Sequence, residues 1–164
     1  MSELKPRNYS QELGIDGKQI AALMQLGFAC FQQNRLKEAR DIFEGVLVLV
    51  PLEPYSYSML GSIHQQENRF EEALNCYNVS LLLYPASINA LTNRGEVLLK
   101  LGRLEEAASD LKAAIELDPD YEDPAANRAR FLATLTLEGL KLAEEQGTQA
   151  VQEAADRLNQ QLQV

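Results

Sequence analysis

The chain of 164 residues has no tryptophan, one histidine and two cysteines. Each scarcity removes a class of chemistry. A lone histidine, His64, with only Cys30 and Cys76 beside it in the sequence, cannot supply a zinc-type ligand set. Two cysteines make no disulfide framework, and in a reducing compartment both are thiols acting as small buried hydrophobes. Basic residues are also few: 15 Lys and Arg stand against 24 Asp and Glu, a formal net charge of −9. That balance argues against nucleic acid, whose phosphates need a basic face. Arg35, Lys37 and Arg40 are the one basic cluster, and they read as the solvated start of a helix. The longest apolar runs, Val46–Val50 and Leu81–Tyr84, are too short to span a bilayer. The first residues, Met1 to Pro6, carry no apolar core of the signal-peptide kind. A cytoplasmic location without membrane insertion is therefore expected. Glycine-rich phosphate loops and nucleophile elbows are lacking too, so no cofactor and no enzymatic activity are expected.

What the sequence does contain is one phrase written three times. Arg35, Arg69 and Arg103 are 34 residues apart, as are Gly27, Gly61 and Gly95, and Pro51, Pro85 and Pro119. A fixed period of this length marks stacked helix pairs, because no single pair can bury its apolar face alone. The copied residues have physical roles. The three glycines lie in a first helix and allow a second helix close approach, an advantage that must exceed glycine's helix penalty. Ala39, Ala73 and Ala107 are the small residues of the second helix, and Phe43, Tyr77 and Leu111 fill the unit. Asn34, Asn68 and Gly102 suit the left-handed turn between helices, and the prolines stop the second helix.

This pattern resembles the tetratricopeptide repeat, with units at 20–53, 54–87 and 88–121. The resemblance implies an all-α right-handed superhelix. A loose lead, residues 1–19, precedes the repeats, and capping helices follow over 122–164. The reading places helices at about 18–33, 36–50, 54–67, 70–84, 88–101 and 104–117, one from Pro124 to about Glu145, and a last one over Thr148–Leu162. Pro54 suits a first turn and Ser87 an N-cap. His64 falls where such units place a ring against the partner helix.

In the tetratricopeptide frame the first helices line a concave groove. Ala21, Met24, Gln25, Phe28 and Phe31 fall there from the first repeat, and Tyr55, Ser58, Met59, Ser62 and Gln65 from the second. Asn89, Thr92, Asn93, Glu96 and Leu99 fall there from the third. This set lacks the Lys, Arg and Asn clamp with which some repeat proteins hold a carboxylate, and an unpaired carboxylate against Phe28 would be desolvated without compensation. It suits an extended peptide with apolar anchors and backbone hydrogen bonds. Met24, Phe28 and Phe31 could instead pack beneath the N-terminal lead.

Three runs carry a closer resemblance: Leu26 to Gln33 continuing to Phe43, Leu60-Gly61-Ser62-Ile63-His64-Gln65, and Glu96-Val97-Leu98-Leu99 before Leu101-Gly102. Over residues 20–140 the chain resembles the type III secretion translocator chaperones. These are small, acidic, cytoplasmic proteins of three repeats that bind a hydrophobic translocator subunit before export. The resemblance implies a non-enzymatic client-binding role, with Met24, Phe28 and Phe31 on the family's aromatic positions, Gln65 on a frequent glutamine and Glu96 on a glutamate. Met24 replaces a usual tyrosine, and Thr92 and Asn93 replace a frequent aromatic and histidine. The alternative is a cytoplasmic adaptor or scaffold of another complex.

One further expectation concerns residues the frame does not require. Val48 and Val50, then Leu82 and Tyr84, are apolar where a stack normally exposes polar side chains. They suggest a weak homodimer or partner patch, unless Leu4, Tyr9 and Leu13 of the lead fold over them.

Overall fold

The computed structural model describes residues 8–146 and Asp156, all-α with no strand among them. Eight helices follow: α1 Tyr9–Glu12, α2 Gly17–Gln32, α3 Leu36–Leu49, α4 Pro54–Gln66, α5 Phe70–Leu83, α6 Ile88–Lys100, α7 Leu104–Glu116 and α8 Pro124–Gln146. The six repeat helices end within a residue or two of the sequence expectation. The helix expected over Thr148–Leu162 lies outside the described residues, apart from helical Asp156.

The boundaries have local causes. Asp16 and Gln19 form a reciprocal capping box at α2, and Ser87 accepts from the Ala90 amide at α6. Pro54 takes the first turn of α4, with the Glu53 carboxylate accepting from the Tyr55 and Ser56 amides. Between paired helices Asn34, Asn68 and Gly102 adopt φ of 59°, 58° and 72°, the left-handed turn that ends a first helix.

Two compact units divide between Pro85 and Ala86. In the first, α2 packs on α3 and α4 on α5, while α3 joins the pairs by packing on α4. Its core gathers Cys30, Ala39, Phe43, Met59, Leu60 and Ile63. The repeated glycines act as the pattern required. A Cβ on Gly27 would stand 2.9 Å from Phe43 Cζ, and one on Gly61 would stand 2.7 Å from Tyr77 Cε1. Arg40 departs from the sequence reading. Instead of a solvated helix start, it is an ion-pair partner of Glu67, reaching from the first repeat to the second, and Arg69 shares that carboxylate. Beside them His64 is largely buried, its Nδ1 3.9 Å from Glu67 Oε2. Burial, then Arg69 and Arg40, push its imidazole below the ordinary value.

In the second unit α6 packs on α7, and α8 covers both. Arg94 grips Asp110 through two hydrogen bonds of 2.7 and 2.6 Å, tying α6 to α7. Ala129 of α8, fully buried, keeps the 34-residue frame of Gly95. The turn before α8 is fixed by Asp118, which accepts from the Glu122 and Asp123 amides at 3.0 and 3.2 Å and from Arg130 at 3.0 Å. Tyr121, at φ 63°, lies under the Arg130 guanidinium, 3.9 Å from ring centre to Cζ.

Candidate functional site

Within the first unit the groove positions divide into an apolar set on α2 and a polar set on α4. Phe28 is 39% exposed, large for an aromatic ring with a core available to it. Met24 and Phe31 are half-buried and lean against the core cluster. Tyr55 is 41% exposed and sets its ring edge-on to Phe43, centroids 6.0 Å apart. The first repeat thus offers one exposed ring and, on the same helix, two side chains that lean on the core.

The second repeat differs at the matched positions. Ser58, expected along the groove floor, is buried, and its carbonyl accepts from the Ser62 hydroxyl at 3.1 Å. Ser62 Oγ also lies 3.1 Å from the Tyr77 hydroxyl, which donates to Gln65 Oε1 at 2.9 Å. Sequence reasoning saw Tyr77 only as a core filler. Its hydroxyl, reaching back from α5 between two groove positions, was legible only as a tyrosine where the other frames have Phe43 and Leu111. Cys76, next to it in sequence, is half-buried against the core, and burial pushes its thiol up, away from the reactive thiolate.

In the second unit the expected third-repeat residues meet α8. Thr92, expected on the groove, is instead fully buried, its hydroxyl 3.2 Å from the Ala125 carbonyl that accepts from it. Asn93 accepts from Arg128, and Glu96 faces Arg128 at 4.0 Å and Lys100 at 3.3 Å. Asn89 is exposed. These carboxylate and amide groups are already engaged by α8, so they present less to a ligand than a bare groove would.

The second expected patch is on the surface. Val48, Leu82 and Tyr84 are 63%, 81% and 53% exposed, and Val50 is half-buried. Short α1 touches α3 but does not hide Val48, and its own Tyr9 and the following Leu13 remain exposed. Leu4 lies outside the described residues. A separate apolar hollow of about 410 Å³ is lined by Ile15, Gln19, Ala22, Leu23 and Leu26. Among the described residues no group of His, Cys, Asp and Glu could hold a metal, and no helix is long and apolar enough to cross a membrane.

A tetratricopeptide repeat family model matches residues 60–134, and a second matches residues 20–44. No curated protein matches the sequence. Among solved structures the chain is similar to the Yersinia enterocolitica type III secretion chaperone SycD in complex with a peptide of the translocator YopD, at 24% identity and TM-score 0.67, covering 79% of this chain and 98% of that one. It is similar to PcrH from Pseudomonas aeruginosa, at 22% identity and TM-score 0.68, covering 84% and 99%. The Sgt2 TPR domain from Aspergillus fumigatus is as alike in shape, TM-score 0.70, at 16% identity, covering 79% and 84%. Likeness at these identities establishes the fold.

Proposed function

We propose that this chain, which belongs to the tetratricopeptide repeat family, is a non-enzymatic chaperone that holds an extended apolar segment of a client protein on the α2 and α4 face of its first two repeats. The observation that carries the reading is the exposed ring of Phe28 on α2, the helix whose Met24 and Phe31 lean on the core, while α4, which α2 touches, carries the polar Ser62 and Gln65. An apolar side chain of the client seats against the rings, and its backbone finds hydrogen bonds on α4. Tyr55, on the first turn of α4, belongs to this face. The client class is a hydrophobic secretion translocator bound in the cytoplasm before export. Support comes from the resemblance of residues 20–140 and from the likeness to SycD solved with a translocator peptide.

Peptide display tests the face. Random 15-residue peptides selected on the full chain should be apolar and extended, and Phe28→Ala with Phe31→Ala should weaken their binding roughly thirtyfold or more. Selection of no peptide, or binding indifferent to the double substitution, overturns the assignment. Co-purification from the native host tests the client. A partner with long apolar segments fits the chaperone, whereas a soluble enzyme or assembly component fits the adaptor reading.

The exposed Val48, Leu82 and Tyr84 support a weak homodimer that leaves the peptide face clear. Val48→Glu with Leu82→Glu should then sediment as a folded monomer that still binds the selected peptide. A wild-type chain that stays monomeric at high micromolar concentration removes the dimer.

A further inference from the structure

We propose that the apolar hollow on α2 receives an amphipathic helix of the client, packed ahead of α2 as α3 packs ahead of α4. The proposal rests on the client-binding reading and gives the same client a second segment, helical rather than extended. The hollow, about 410 Å³, is lined by Ile15, Gln19, Ala22, Leu23 and Leu26. The last four follow the i, i+3, i+4, i+7 spacing of one helix face. The second repeat shows what such a face takes. Ser56 and Leu60 stand 34 residues after Ala22 and Leu26. Both are buried, and Leu60 shares a core cluster with Cys30, Ala39 and Phe43 of the preceding helix pair. Among the described residues no helix covers α2 in that way: it packs on α3 and touches α4, while α1 touches α3 alone. Leu26 is therefore 53% exposed where Leu60 is 6% exposed.

The composition of α2 gives the chemistry of the occupant. The end of a repeat stack needs a polar outer face, yet Lys18 is the only charged residue among the 16 of α2. Its apolar side chains reach the core at Ile20, the proposed peptide face at Phe28 and the hollow at Leu26. A helix apolar on every side is one that is covered on every side. Leu23 of the hollow and Met24 of the peptide face are consecutive, so one client chain runs from one to the other along a single helix. Charge excludes the nearer alternative. From Asn8 to Asn34 the charged residues are Glu12, Asp16 and Lys18, with both carboxylates flanking Ile15. A second copy on this face would bring its own Glu12 and Asp16 to the same rim, whereas a helix with a basic polar side complements it.

Photocrosslinking in the native host tests this, with benzoylphenylalanine replacing Leu26 in one full chain and Phe28 in another. Both should capture the same protein at different segments. The segment joined at position 26 should carry apolar residues at i, i+3, i+4 and i+7, with Lys or Arg on its other side. A helix-stapled synthetic peptide of that segment should bind the wild-type chain and ignore Phe28→Ala. Leu26→Glu should bind it about tenfold more weakly or worse, because a carboxylate then faces an apolar helix. Ala22→Glu, at another exposed position, should do the same, and circular dichroism should show both variants folded. Position 26 joined to this chain or a second copy, to a protein other than the one joined at 28, to a segment without that stripe, or to nothing, overturns the inference and leaves the peptide face standing. So does a stapled peptide indifferent to both substitutions. No adduct at position 28 overturns the peptide-face reading, and this inference with it.

Discussion

The first and second repeats share a frame and a compact unit, yet they part at three matched positions. Phe28, Phe31 and Phe43 occupy in one what Ser62, Gln65 and Tyr77 occupy in the other. Their turns are the same, with Asn34 and Asn68 at φ 59° and 58°, and so are their glycine seats. Framework residues therefore fix the helix pairs, and the positions between them are left to write a surface. One repeat writes an apolar wall, the other a hydrogen-bonded step. An extended peptide has both kinds of group, so the proposed site draws on both repeats.

The comparison breaks most severely at the core. Phe43→Ala should destabilise the chain by about 3–5 kcal/mol through the cavity it leaves, read from a denaturant midpoint. Loss of Phe28, which is 39% exposed, should cost less than that, and a Phe28→Ala chain as unstable as Phe43→Ala would make Phe28 a core residue. Binding should show the reverse order. Phe28→Ala with Phe31→Ala should weaken a selected peptide by about 2 kcal/mol or more, roughly thirtyfold, if both rings are desolvated anchors.

Glycines sharpen the comparison at smaller cost. Gly61→Ala drives a methyl group to within 2.7–2.9 Å of the Tyr77 ring, and such overpacking should cost about 1–3 kcal/mol. Gly45 lies within α3 with no atom within 4 Å of an added Cβ, so Gly45→Ala should stabilise by about 0.5–1 kcal/mol. Two thermal melts distinguish a glycine demanded by packing from one that merely tolerates its place.

These effects also mark what the sequence could tell. Helix ends, the left-handed asparagines and the glycine seats depend on neighbours within one frame, so a 34-residue period exposes them. The Tyr77 hydroxyl between Ser62 and Gln65 depends on which way a buried ring points. Arg40 finds Glu67 27 residues away, and Arg128 finds Asn93 35 residues away. Periodicity carries no trace of such pairings, because they hold one frame to the next through residues the frame does not specify. Thr92 shows the same limit: its position in the frame says groove, and the first turn of α8 buries it.

The smallest effect is electrostatic and sits where the first repeat meets the second. Burial pushes the Glu67 carboxyl up, but hydrogen bonding to Arg69 and the charges of Arg40 and Arg69 outweigh it and hold the group below its ordinary value. Its contribution is complete above the ordinary carboxylate pKa and is lost as pH falls through the lower folded value. His64 is likewise held below its ordinary value, by burial first. The unfolded chain then takes up the proton first, so stability is full above the ordinary histidine pKa and declines as pH falls toward the folded one. Denaturant midpoints between about pH 7 and pH 5 should show a shallow slope that His64→Gln removes. An unchanged slope in His64→Gln assigns it to other groups.

An extended apolar peptide is proposed to lie on the α2 and α4 face. Backbone amide spectra of the full chain, titrated with a display-selected peptide, test this most directly. The largest shifts should fall at Phe28, Phe31, Ser62 and Gln65, while Val48 and Leu82 stay unmoved. Shifts concentrated instead on Val48, Leu82 and Tyr84, or around Ala22, Leu23 and Leu26, would contradict it.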